Sequence, residues 1–107
     1  MMNLNLNQTI TDIDGKIVVF EEGIPFLLKD AIKRALSANY IDEAPSDHSL
    51  GLSGEDKFKR WELAMLISQA DESIEIKAED IVLIKRLIGK FFGPVIVGPV
   101  WNMLEGK

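Results

Sequence analysis

The sequence predicts an α+β fold: one domain spanning residues 1–107, in which an N-terminal β-hairpin, with room for a third short strand, packs on three to four helices. Two features of the chain carry that prediction. Leu4, Leu6 and Ile10 follow the period of two of a strand with one buried face, and from about Leu28 apolar residues recur every three and four residues instead. The 107 residues, 47% hydrophobic and 27% charged, have the length of one domain and the composition of a folded one. A chain of this size buries only about 60–65% of the surface that its unfolded form exposes, so almost every large apolar side chain is wanted in the core.

The hairpin comes first. Leu4, Leu6 and Ile10 sit two or four apart, Asp14 and Gly15 form a favoured two-residue type I′ turn, and the β-branched run KIVVF at 16–20 returns. Glu21, Glu22 and Gly23 signal a second turn, after which residues 24–27 supply the third strand, with Pro25 on its edge. A helix follows, with Leu28, Ala31, Ile32, Ala35 and Leu36 on its buried face, ending near Asn39. Residues 40–52 (YIDEAPSDHSLGL) read as a loop, and Ser53 as the N-cap of the next helix, in a capping box weakened by Asp56 at its fourth position. On that helix Phe58, Trp61, Ala64, Met65 and Ser68 are assigned to the core face, widened by Leu66, Ile67 and Ala70.

The last quarter, residues 78–105, organises the rest. Glu79 and Asp80 stand at the positive end of a helix macrodipole, and Lys85, Arg86 and Lys90 lie toward the negative end. Ile81, Ile84, Leu87, Ile88 and Phe91 form its apolar face. From Phe91 to Trp101 there is no charge, and the run is punctuated by Gly93-Pro94 and Gly98-Pro99. Gly93 ends one helix and Pro94 opens another at its first turn, which leaves Pro99 inside that helix; alternatively the last helix starts at Pro99 and residues 95–97 are extended. The run first reads as core. Its second reading is a partner or self-association surface on Phe92, Val95, Ile96 and Trp101, using the face that packing leaves over. The predicted core is Leu6, Ile10, Val18, Ile32, Leu36, Trp61, Met65, Ile84, Leu87, Ile88 and Trp101.

Catalysis is disfavoured. There is no cysteine, and with one histidine no hydroxyl nucleophile has an evident base. No glycine-rich phosphate loop follows a strand. Counting a calcium loop from Asp71 puts Ile74 where glycine is needed and Val82 where a bidentate glutamate is needed. His48, with Asp42, Glu43 and Asp47 nearby, is a solvated loop histidine or, as a lesser alternative, the centre of a small metal module. Asp12 and Asp14 look like a carboxylate pair, yet the turn accounts for Asp14. No cofactor is expected. The formal charge of −5 opposes nucleic-acid binding, and the basic groups Lys29/Lys33/Arg34, Lys57/Lys59/Arg60 and Lys85/Arg86/Lys90 read as solvated helix faces. A nucleic-acid-linked regulator is the alternative function. The start MMNLNLNQTITD has no signal-peptide pattern, and the longest apolar run is far short of the ~20 residues of a membrane span, so a soluble protein without membrane partners is expected.

Three pieces in order carry a resemblance: ITDIDGK at 10–16, LSGEDKFKR at 52–60, and AEDIVLIKRLIGKFFGPVIVG at 78–98, closing in WNMLE. Together they resemble a group of small uncharacterised proteins of tailed bacteriophages and prophages, across most of the chain. Pro99 departs from that pattern. The resemblance implies a phage or prophage origin, a bacterial host cytoplasm, and a non-catalytic accessory role. That role is assembly or host-protein binding, through a phage or host protein partner or as a homo-oligomer. It supplies no catalytic residue to carry over.

Overall fold

The computed structural model describes residues 2–19, 23–38 and 54–106, so the predicted loop at 40–52, the Ser53 cap, His48 and its neighbouring acids lie outside the described residues. The first strand, β1 (Met2–Asn5), takes its partner from far along the chain. It pairs antiparallel with β2 (Ser73–Ile76) in the register Met2↔Ile76, Asn3↔Glu75, Leu4↔Ile74 and Asn5↔Ser73. Period-2 alternation turns Leu4 and Ile76 inward, where both are buried, and leaves Asn3, Asn5, Ser73 and Glu75 exposed. The Leu6 N–H extends the pairing by donating to the Glu72 carbonyl at 2.8 Å.

The predicted hairpin and third strand follow as three short extended segments closed into a ring. Bridges join Thr11 to Ile17, Val19 to Pro25 and Thr9 to Leu27, all antiparallel. Hydrogen bonds circle the ring in one direction. The Val18 N–H donates to the Ile10 carbonyl at 2.8 Å, the Phe26 N–H to Val18 at 2.9 Å, and the Ile10 N–H to Phe26 at 3.2 Å. Three segments cannot all be antiparallel neighbours in one flat sheet, so each pair is limited to a single bridge. Ile10 and Phe26 are buried inside the ring and Val18 is half-buried, while Thr9, Thr11, Ile17, Val19 and Pro25 face outward. Pro25 is tolerated because the bond at its bridge comes from the N–H of Phe26.

The first turn differs from the predicted two-residue type. Gly15 is at φ 82°, as a turn glycine should be, but the pairing of Thr11 with Ile17 does not leave Asp14 and Gly15 as a two-residue loop. Instead the Gly15 N–H donates to the Asp12 carbonyl at 3.0 Å, and the Asp12 N–H to Lys16 at 2.8 Å, which encloses a three-residue loop. Asp12 holds it: Oδ1 accepts the N–H groups of Asp14 and Lys16, both at 2.9 Å. The sequence reading gave Asp14 the work that Asp12 does.

Four helices among the described residues complete the α+β fold: α1 (Leu28–Ser37), α2 (Gly54–Gln69), α3 (Ala78–Phe91) and α4 (Pro94–Leu104). The predicted face of α1 is confirmed, with Leu28, Ala31, Ile32, Ala35 and Leu36 all buried. Asp30 Oδ2 accepts the Leu27 N–H at 3.2 Å and satisfies one donor at the entry to α1. α1 is central: it packs against both α2 and α3, and α3 packs against α4. Lys29 reaches from α1 to donate its Nζ to the Ala70 carbonyl at 2.6 Å, bringing a cation to the C-terminal end of α2, whose last turn has no basic residue. α3 buries Ile84, Leu87 and Ile88, with Ile81 half-buried and Phe91 largely exposed.

Of the two alternatives for the last helix, the structure adopts the one that begins at Pro94. Gly93 is its N-cap, Pro94 sits at the first turn, and Pro99 lies inside. Without an N–H, Pro99 leaves the Val95 carbonyl without its usual helical donor. The predicted core residues Leu6, Ile10, Ile32, Leu36, Ile84, Leu87 and Ile88 are buried, and Val18 and Trp101 pack against the core half-buried. Trp61 and Met65 must be corrected. Both face solvent, because α2 turns its other side toward α1.

Candidate protein-interaction surface

The predicted partner residues on the last quarter are engaged mainly by the domain itself. Phe92 lies half-buried between Phe26 and Phe91, its ring centroid 5.9 Å from the former and 4.8 Å from the latter, both edge-on. Ile96 packs against the core. Trp101 is held from three sides. Its Nε1 donates to the Lys85 carbonyl at 3.1 Å, and the Lys85 ammonium sits 4.6 Å from its ring centroid. That ammonium also pairs with Glu105 Oε2 at 2.7 Å. The third side is Gly89: a Cβ there would stand 3.4 Å from Trp101 Cζ2, so the missing side chain lets the indole lie close on α3. Within the uncharged run 91–101, Val95, 41% exposed, and Phe91 are the large apolar residues that remain open. The Gly-Pro joint therefore completes the core and leaves only a small apolar rim.

A second uncovered apolar face, the one with exposed aromatic rings, is on α2. This helix carries two apolar stripes on opposite sides, since residues nine apart, such as Phe58 and Ile67, differ by about half a turn. The inner stripe is Leu63 and Ile67, with Ala64 half-buried beside them. Arg60 is buried on the same side and donates from Nη1 to the Ala38 carbonyl at 3.3 Å, tying α2 to the end of α1. The outer stripe is Phe58, Trp61 and Met65, flanked by Leu66. Phe58 is 58% exposed and Trp61 56%, and their rings stack at 5.7 Å with an interplanar angle of 27°. One long border of the stripe carries Lys57 and the other carries Glu55 and Glu62, all exposed.

The sequence contained the signal for this surface, but it pointed both ways. A helix with apolar residues at 58, 61 and 65 and again at 63, 64 and 67 has two candidate core faces. The aromatic stripe looks the stronger on hydrophobicity, and Arg60 argues against the stripe that is in fact buried. The arginine is tolerated because its long stem packs while its guanidinium finds a carbonyl.

Other sequence candidates are accounted for by local structure. Asp71 precedes β2, and Ser73 and Glu75 alternate along it; its extended, paired backbone does not wrap around an ion as a calcium loop must. No group of three or more acidic or histidine side chains among the described residues could hold a metal. Each basic group has at least one member drawn into the fold: Lys29, Arg60 and Lys85. No helix among the described residues is long and apolar enough to cross a membrane. Comparison with protein-family models, with curated proteins and with solved structures finds no match.

Proposed function

We propose that the chain is a non-catalytic protein-interaction module that works through the outer face of α2, as an accessory protein of bacteriophage or prophage type. One observation carries the reading: a stacked Phe58–Trp61 pair, continued by Met65, stands in solvent on a helix whose other side is fixed in the core. Tryptophan, phenylalanine and methionine are enriched at the buried centres of protein interfaces, and rigid aromatic anchors dominate their energetics. The phage resemblance suggests the setting, a bacterial host cytoplasm, and the kind of task, assembly or binding of a host protein.

The test is capture by immobilised full-length protein from bacterial lysate, together with a measurement of self-association. Trp61→Asp is the decisive variant and Val95→Asp the control. Association lost in the first and kept in the second supports the assignment to α2. Association that ignores Trp61→Asp moves the site elsewhere, and loss on Val95→Asp places it at the Gly-Pro joint with Phe92, Ile96 and Trp101. No association of either kind removes the reading altogether.

A further inference from the structure

We infer that the partner of the α2 face is a second copy of this chain, docked so that the two α2 helices run parallel. The inference rests on reading that face as a protein-binding surface and adds the identity and orientation of what covers it. The spacing is that of a short coiled-coil seam. Phe58, Trp61 and Met65 fall at positions a, d and a, and Ser68 follows at d. Among the described residues, α2 makes its main helix contact with α1, through the side carrying Leu63 and Ile67, and Phe58, Trp61 and Met65 are exposed on the other side.

The borders of the seam choose the partner. Lys57 stands at position g and Glu62 at position e, five residues later, and both are exposed. In a parallel pair, position g of one helix meets position e of the next heptad on the other. Lys57 of each copy therefore meets Glu62 of the other, and twofold symmetry forms the pair twice. An antiparallel pair brings like borders together instead. Glu62 and Glu55 then face the same acidic border of the second copy, and Lys57 finds no acid. The stripe is thus self-complementary in one orientation and self-repelling in the other.

The experiment uses the full chain and sedimentation equilibrium over a range of concentrations. The wild type is expected to reach dimer and Trp61→Asp to remain monomer with unchanged far-UV circular dichroism. Lys57→Glu and Glu62→Lys should each raise the dissociation constant by about fivefold, the scale of two exposed ion pairs lost per dimer. The double variant K57E/E62K, which exchanges the borders, should recover wild-type association. Orientation is read separately with Ser68→Cys, because the chain has no other cysteine. A parallel pair sets the two thiols across the seam within the roughly 4.4–6.8 Å Cα separation that a disulfide spans, so oxidation gives a covalent dimer. An antiparallel pair sets each thiol opposite the start of the other helix and gives none.

A monomer at every concentration overturns the inference. If a different protein is then captured in a Trp61-dependent way, the interaction reading stands and only the second copy falls. A dimer that the double charge exchange does not restore, or that Ser68→Cys does not cross-link, overturns the parallel arrangement.

Discussion

The orientation of α2 makes a prediction that separates the observed fold from its most natural alternative. Ile67 is fully buried on the inner stripe and Trp61 is 56% exposed on the outer one. Ile67→Ala removes three methylene equivalents, about 2.4 kcal/mol at roughly 0.8 kcal/mol each. The cavity left behind adds to this, so the total falls at about 3–4 kcal/mol, within the range of buried Ile→Ala changes. That is a large fraction of the roughly 5–15 kcal/mol that stabilises a domain. Trp61→Ala gives up only the packing of a half-covered ring, and alanine's better helix propensity returns about 0.5 kcal/mol, so the net change stays within roughly 1 kcal/mol. The assay is urea unfolding followed by far-UV circular dichroism. Dilute protein is used so that self-association does not add to apparent stability. With a slope of about 1–3 kcal/mol per molar urea, Ile67→Ala should lower the midpoint by at least about 1 M while Trp61→Ala barely moves it. If Trp61→Ala proved the more costly change, the aromatic stripe would be the core face and the proposed surface would not exist.

Two further substitutions test local structure. Asp12→Ala removes the acceptor for the N–H groups of Asp14 and Lys16 and should cost about 1 kcal/mol, seen as a drop of several degrees in the thermal midpoint, whereas Asp14→Ala should change it little. Gly98→Ala, inside α4, meets nothing within 4 Å beyond its own helix and chain neighbours, but the Cδ of Pro99 crowds the Cβ of a helical residue before it; the usual gain of about 0.5–1 kcal/mol should therefore be absent in the same melt, and a full gain would mean that the helix is distorted at Pro99.

What the sequence made legible follows from how one-sided each pattern is. α1 and α3 were readable because charge and apolarity fall on opposite faces, so one orientation is far better than any other. The joint between α3 and α4 was readable because Pro94 belongs at a first helical turn. The three segments around Ile10, Val18 and Phe26 were also readable, as strands. Their closure into a ring was not, because alternation reports which face is buried and not which neighbour is paired. β1 and β2 show the same limit more sharply: two four-residue stretches meet across most of the chain, and nothing local marks them as mates. The candidate surface was missed for a different reason. α2 is apolar on both sides, and a periodicity argument that assumes one buried face assigns the richer stripe to the core.

That misassignment bears on function. Turning α2 by half a turn would complete the burial of Phe58, Trp61 and Met65, three large side chains now about half exposed, in exchange for the smaller Leu63 and Ile67, and would return Arg60 to water, where a guanidinium is least costly. An isolated domain that needs its apolar residues for a core gains from that exchange. The observed orientation forgoes it: the shorter side chains Leu63 and Ile67 are spent on α1, and the larger aromatic ones are held outside, in a stacked pair bordered by opposite charges. Such an arrangement is unfavourable for a protein that stays alone in water and favourable for one whose outer stripe is covered by another chain. The energy left unrealised in the monomer is the energy available to association, so the feature that misled the sequence reading is also the physical ground for the proposed interface.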